Sequence, residues 1–200
     1  STEKSQCFAS DETTVLIDRD VASYYPQIIL NQKLFPDHIG KEFLQVYKSI
    51  VDRRLEAKRM PGKIAKGIAD SLKITINGAF GKLGSEYSCL YAPRLLLQVT
   101  LTGQLSLLLL IEMIESGGIS VISANTDGIV MKCPVDLQGE LQKIILKWEN
   151  TTQFTTDETR YRAIYSRDVN NYIAIGEDGT FKAKGSYVCD LSMKNKDRES

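Results

Sequence analysis

The stretch ISVISANTDGIVMKC, residues 119–133, decides the fold. Ile119–Ser123 and Ile129–Cys133 are short β-branched runs, and Asn125-Thr126-Asp127-Gly128 between them has the composition of a tight turn, so the segment predicts a β-hairpin. Asp127 stands at its tip, presented by two apolar strands. An acid in that place is most often simply a turn former, so the hairpin alone proves little. A second acidic signal lies upstream, where Thr13–Ile17 predicts a strand that ends in Asp18 and Asp20. The two-residue period of a strand puts both acids on one face. If strand and hairpin are neighbours in one sheet, Asp20 and Asp127 converge. Two such hard-oxygen ligands suit a pair of Mg²⁺ ions of the kind used for in-line phosphoryl displacement.

Between these signals the period changes from two to about 3.6. Pro26 inside Tyr24–Leu30 marks the first turn of a short helix, and Pro36 closes that segment before a second helix from about Lys41 to Met60. Pro61-Gly62 ends it, and apolar residues recur at helical spacing from Lys63 to Phe80 until Gly81 and Gly84, which predicts a helical hairpin. Leu95 to Ile114 is the most apolar region, but Gln98, Thr100, Thr102, Gln104, Ser106 and Glu112 break it into runs too short for a bilayer; a buried core helix is expected, with Gly117-Gly118 as its stop. Leu137–Trp148 predicts an amphipathic helix. Tyr172–Ile175 and Thr180–Lys184, around Glu177-Asp178-Gly179, predict another hairpin. Ser1–Ser10 reads as a loose lead-in and Lys194–Ser200 as a charged tail. There is no internal repeat. The order of elements implies an α+β protein, an antiparallel sheet covered by helices on one face.

The 200 residues are 42% hydrophobic and 25% charged, ordinary for a soluble globular chain of one domain, or one with a sub-domain. Lys and Arg number 25 against 25 Asp and Glu, so no global field advertises a polyanionic partner. Local clustering does. From Lys48 to Lys73 the helical hairpin carries Lys48, Arg53, Arg54, Lys58, Arg59, Lys63, Lys66 and Lys73 against Asp52, Glu56 and Asp70, an excess of five positive charges. Arg54 and Lys58 share a face, and Lys73, Asn77 and Phe80 form a stripe of cation, amide and ring. A triphosphate or nucleic-acid backbone needs such a surface, although a charge run is more often a solvated helix face. Tyr24-Tyr25-Pro26 adds rings beside the acidic strand end, for stacking on a sugar or base or for plain packing. Cys7, Cys89, Cys133 and Cys189 form no Cys-x-x-Cys pair and His38 stands alone, so neither a disulfide framework nor a structural zinc site is expected, and the chain reads as cytosolic. Acids, cations and rings in this order describe a site for a polyanionic, base-bearing substrate and two metals, which is nucleotidyl transfer.

These residues resemble the three ordered palm motifs of family B DNA polymerases. Asp20-Val21-Ala22-Ser23-Tyr24-Tyr25-Pro26 is similar to the pattern Asp-x-x-Ser-Leu-Tyr-Pro. Lys73-Ile74-Thr75-Ile76-Asn77-Gly78-Ala79-Phe80-Gly81 is similar to Lys-x-x-x-Asn-Ser-x-Tyr-Gly, and Ser123-Ala124-Asn125-Thr126-Asp127-Gly128 to Tyr-Gly-Asp-Thr-Asp-Ser. Downstream, Asn170-Asn171-Tyr172 resembles the Lys-x-Tyr element and Lys182-Ala183-Lys184-Gly185 the Lys-x-Lys-Gly strand. Each motif alone is weak to moderate; their conjunction in order is specific and covers about Thr13 to Tyr187.

The resemblance implies template-directed DNA synthesis by a palm built from residues 1–40 and 82–200 and a fingers hairpin at 41–81. Asp20 and Asp127 would bind two Mg²⁺, with Mn²⁺ as the alternative, and the Val21 carbonyl would be a backbone ligand. Backbone amides of Ser23 and Tyr24 would hold the triphosphate, and Tyr25 would reject ribonucleotides as a steric gate. Arg54, Lys58 and Lys73 would contact the phosphates, with Lys73 also protonating the leaving pyrophosphate. Asn77 and Phe80 would line the nascent base pair, while Tyr172, Lys182 and Lys184 would touch primer–template DNA. Asn125, Gly128, Ser123 and Phe80 depart from the family pattern. Asn125 removes one negative charge, and the loosened third motif looks bacteriophage-type, which would place the protein in a host cytoplasm. No exonuclease or thumb domain is expected in the chain, which would then be the core of a larger polymerase or one piece of a polymerase split between polypeptides, with separate exonuclease and thumb polypeptides as partners in the second case; no membrane is expected. The alternative is a feeble or inactive nucleotide-binding or nucleic-acid-binding subunit that needs partner chains. A reverse transcriptase palm is disfavoured by the Lys73–Gly81 motif.

Overall fold

The computed structural model describes residues 5–188. The charged tail expected at Lys194–Ser200, the start of the expected lead-in and Cys189 lie outside the described residues. The elements run β1 Gln6–Ala9, β2 Thr14–Val21, α1 Tyr24–Asn31, α2 Glu42–Arg59, α3 Lys63–Lys82, α4 Pro93–Ser116, β3 Ser120–Ala124, β4 Gly128–Pro134, α5 Gln138–Thr152, β5 Thr156–Asp168, β6 Asn171–Gly176 and β7 Phe181–Lys184. They form two compact units, one of Ser23–Ser106 and one of the chain through Ala22 together with that from Leu107 onward.

The second of these units holds all seven strands in one sheet ordered β3-β4-β2-β5-β6-β7, with β1 also paired to β5, every pairing antiparallel. The predicted α+β class therefore holds. Alternation along β2 separates the two faces. Ile17, Arg19 and Val21 point one way, and the Arg19 guanidinium donates to Gln142 of α5 at 3.0 Å and pairs with Glu158, so α5 covers that face. Trp148 and Ile145 of α5 are buried. Asp18 and Asp20 point to the other face, where they line an open cleft. The stop at Gly117-Gly118 is a Schellman closure: Gly118 has φ +78°, Ile119 N–H donates to the Ile114 carbonyl at 3.2 Å and Gly118 N–H to that of Glu115 at 3.0 Å.

The unit Ser23–Ser106 contains the expected helical hairpin. Helices α2 and α3 are joined through Met60–Gly62, where Gly62 has φ +110°, a conformation that admits glycine readily. Tyr47, Val51, Ala57, Ala65, Ala69 and Ile76 are buried along the two helices, and the ring of Phe43 stacks on that of Tyr47 at 5.4 Å.

Three expectations change. Gln6–Ala9 is not loose but pairs with β5 from Ala163 to Ser166. The thirteen-residue strand β5 was not foreseen, because Thr156–Arg160 alternates no apolar residues and the run from Tyr161 is interrupted by bulges in its pairing with β6. Helix α4 begins at Pro93, and it is not a fully buried core helix: Val99, Leu107, Leu110 and Ile114 are buried, whereas Leu97, Leu101, Leu105 and Leu108 are exposed. By length and composition alone α4 is apolar enough to cross a membrane, with 22% of its most apolar window buried, a property that core helices share.

Candidate active site

The pairing of β2 with β4 assembles the acidic end of the site. Asp20 lies opposite Gly128, and Val21 N–H donates to the Asp127 carbonyl at 2.7 Å, so the ladder extends one step past the hairpin and sets Asp127 beside Asp20. The turn is locked by Asn125, whose side-chain oxygen accepts from Asp127 N–H at 3.0 Å and from Gly128 N–H at 2.7 Å. Asn125 is thus a turn-capping residue with its oxygen engaged. Space at Gly128 is tight: a Cβ there would lie 3.0 Å from the Arg19 carbonyl and 3.1 Å from a carboxylate oxygen of Asp20, so these atoms would have to give by a few tenths of an ångström. The serine that the family pattern carries at this place would press on Asp20 itself.

Asp20 and Asp127 line a cleft of about 500 Å³ on the open face of the sheet, together with Asp18, Tyr161, Tyr172, Lys182 and Lys184. Five of the six residues predicted for this side of the site are therefore brought together; the sixth, Val21, has a buried side chain and can offer only its backbone. Burial, then the charges of Asp127 and Asp18, push the Asp20 carboxyl up from 3.8 to about 6, against the pull of Lys182. The surplus of negative charge at Asp20 is what a cation would relieve, and two carboxylates with a peptide carbonyl fit a hard divalent ion. Among the described residues no group of three or more His, Cys, Asp or Glu side chains could hold a metal ion.

Asp18 and Tyr161, which also line this cleft, were not among the predicted site residues. Asp18 accepts from the Tyr161 hydroxyl at 2.9 Å and pairs with the Lys182 ammonium at 3.6 Å, which in turn donates to the Tyr161 hydroxyl at 3.2 Å. Burial works to lower the Lys182 pKa, but the bond to Tyr161 and the electron-rich oxygens of Tyr161, Tyr172 and Asp18 reverse it, and the net direction is upward. Burial and the Asp18 charge raise the Tyr161 phenol to about 12, so it stays a donor. Asp18 was visible as an acid in step with Asp20. Tyr161 carried no signal, since its strand was not recognised.

The remaining predicted residues belong to the unit Ser23–Ser106. Ser23 sits at the N-cap of α1 in the left-handed region, φ +51°, and its hydroxyl oxygen accepts from the Arg54 guanidinium at 2.8 Å. The Arg54 Nε is buried with no hydrogen-bond partner. Tyr25 stacks on Phe80 with ring centroids 4.3 Å apart, joining the predicted gate to the predicted base-pair residue. Tyr24 is a packing residue: it is 4% exposed, its hydroxyl donates to the Gly103 carbonyl at 2.6 Å, and burial raises it to about 12. A Cβ at Gly103 would meet the Tyr24 and Tyr25 rings at 3.4 and 3.6 Å, ordinary van der Waals contact. Lys58, Lys73 and Asn77 are exposed on α2 and α3.

The fold is an antiparallel sheet that carries Asp20 on β2 and Asp127 on the β3–β4 turn. The structure is similar to that of the family B DNA polymerase from the hyperthermophilic archaeon Pyrobaculum calidifontis, with a TM-score of 0.61 and 17% identity, over 92% of this chain and 29% of that one. In sequence the chain is similar to the DNA polymerase alpha catalytic subunits of Leishmania donovani, 30% identical over 177 residues, and of Trypanosoma brucei brucei, 38% identical over 100 residues. These matches cover 76% and 44% of this chain. No protein-family model matches it. The chain belongs to the family B DNA polymerases, and it spans 13% and 7% of the length of those two relatives.

Proposed function

We propose that this chain is the polymerase core of a family B DNA polymerase, transferring a deoxynucleotide to a primer 3′-hydroxyl, with residues 1–40 and 82–200 as palm and 41–81 as fingers. The observation that carries the reading is the β2–β4 register, which sets Asp20 beside Asp127 in an open cleft with two lysines and two tyrosines. Divalent-metal dependence goes with the family; two Mg²⁺, or Mn²⁺, held by Asp20, Asp127 and the Val21 carbonyl are the finer proposal. Bound there, such ions would neutralise charge on the reacting phosphate oxygens.

The chain's own residues do the rest. Asp20 and Asp127 supply the fixed negative charge. Tyr172, Lys182 and Lys184 grip primer–template DNA through its backbone, which gives position without sequence preference. Arg54, Lys58 and Lys73 take the incoming triphosphate beside the amides of Ser23 and Tyr24, and the Lys73 ammonium holds the proton that the departing pyrophosphate needs. The Phe80 ring backs the Tyr25 ring from one side, so Tyr25 meets a sugar as a wall rather than a hinge, the condition for excluding a 2′-hydroxyl. Asn77 and Phe80 complete the surface for the new base pair. DNA, deoxynucleoside triphosphates and polypeptides carrying exonuclease and thumb functions are the proposed partners, and a host cytoplasm the proposed site of action.

Asn125 favours a second reading, a binding subunit with little activity of its own, because the family's first acid is here a neutral turn cap. Primer extension with Mg²⁺ and all four deoxynucleotides separates the two. We expect extension that Asp127→Ala reduces by at least about a hundredfold, the order expected when a group acting on the transition state is removed. Nucleotide binding without extension supports the subunit; extension indifferent to Asp127→Ala refutes the site.

A further inference from the structure

Lys182 is tethered yet open. Its side chain is 57% exposed in the cleft, whereas that of Asp18 is 12% exposed, so the pair is a half-buried anchor holding a cation at the surface. An ammonium has three donors. The Tyr161 hydroxyl takes one at 3.2 Å, Asp18 lies at 3.6 Å, and the Tyr161 ring lies below at 5.9 Å from the ammonium to its centroid. The Tyr161 hydroxyl donates its own proton to Asp18, and it therefore turns a lone pair to the lysine. The arrangement removes the rotational freedom that a four-carbon side chain otherwise loses on meeting a phosphate, and leaves donor capacity unused.

Asp18 lies opposite Val130 and Thr159 in the sheet, and a carboxylate at that depth is costly without a partner. The tether also gives a reason for an acid so near a surface meant for a polyanion: Asp18 faces the Lys182 ammonium.

We propose that Asp18 and Tyr161 position Lys182, so that its ammonium meets a phosphodiester of the primer strand beside Asp20 and Asp127. This rests on the polymerase reading, and both are positioning residues, touching no reacting atom.

The test is anisotropy of a fluorescein-labelled primer–template duplex bound to the full chain in EDTA, across a range of salt concentrations, for wild type, Lys182→Ala, Asp18→Asn, Tyr161→Phe and the Tyr161→Phe/Lys182→Ala double variant. Thermal melts confirm that each is folded, and the Asn and Phe replacements preserve shape. Lys182→Ala is expected to weaken binding roughly three- to tenfold and to lower the slope of log K on log salt by about 0.9, as loss of one phosphate contact does. Asp18→Asn and Tyr161→Phe are each expected to weaken binding by about two- to fivefold, and Tyr161→Phe to add nothing once Lys182 is gone. The sign decides the matter. If Asp18 were merely a negative charge near the DNA, its removal would tighten binding. Tighter binding by Asp18→Asn, or an unchanged Tyr161→Phe beside a weakened Lys182→Ala, overturns the tether and leaves the polymerase reading intact. Absence of duplex binding by the wild type overturns both. Binding with the expected variant pattern but no Mg²⁺-dependent extension upholds the tether and refutes catalysis by this chain.

Discussion

Asp20 is a carboxylate whose neighbours disfavour its charge. Its folded pKa of about 6 lies above the unfolded value of 3.8, so the native state binds the proton more tightly than the unfolded chain does. The resulting stability is fully present below pH 3.8 and is lost as pH rises through 6, where Asp20 must ionise beside Asp127 and Asp18. Asp20→Asn is therefore expected to be more stable than wild type at pH 7, by no more than about 1 kcal/mol after discounting for solvent screening of a partly exposed group, and indistinguishable from it near pH 4. Chemical denaturation at the two pH values measures this. A variant that gains stability while losing extension marks Asp20 as a group kept for function. Asn125 and Gly128 read differently, as the cap that locks the turn and the gap that admits Asp20. Gly128→Ala is expected to displace the Asp20 carboxylate and weaken Mg²⁺-dependent extension roughly tenfold, and full activity in that variant contradicts the argument from space. The Tyr25–Phe80 stack predicts that Phe80→Ala loosens sugar selection. Ribonucleotide incorporation relative to deoxynucleotide should rise by about three- to tenfold, the factor that a stacking energy near 1 kcal/mol represents.

At the scale of elements, the hairpins, helix stops and hydrophobic periods are local chemistry, and they appear where the sequence predicts them. Gly118 closes α4 in a conformation that L side chains rarely adopt, and the hairpin β6–β7 turns on Gly179 at φ +81° with Asp178 accepting from Thr180 N–H at 3.0 Å. Gly118→Ala is expected to cost about 1 kcal/mol, seen as a lowered midpoint in thermal or urea unfolding without change in the m-value. Strand β5 is the counterexample. Its residues Thr156–Arg160 are polar because one neighbour is Glu149 of α5, which accepts from Thr156 N–H at 2.7 Å, and because Glu158 answers Arg19. A strand whose polar residues are satisfied by a particular helix has no period for a window to detect. The exposed leucines of α4 were hidden for the complementary reason: an apolar run says that burial is available, not which face is buried.

At the scale of the molecule, the neutral net charge gives no general attraction to DNA, and the cations cluster locally, on α2 and α3 in one unit and in the cleft of the sheet in the other. Duplex binding should therefore be strongly salt-dependent, each engaged lysine adding about 0.9 to the log–log slope. The strand that carries Asp20, the turn that carries Asp127 and the helical hairpin that carries Lys73 were legible from the residues alone, because turns, caps and periods depend on near neighbours in the chain. Strand order, the register that opposes Asp20 to Gly128, the Tyr25–Phe80 stack and the union of Asp18, Tyr161 and Lys182 were decided only by tertiary structure. Such contacts join residues as many as 164 positions apart, as Asp18 and Lys182 are, and no local preference encodes which of many distant partners will meet.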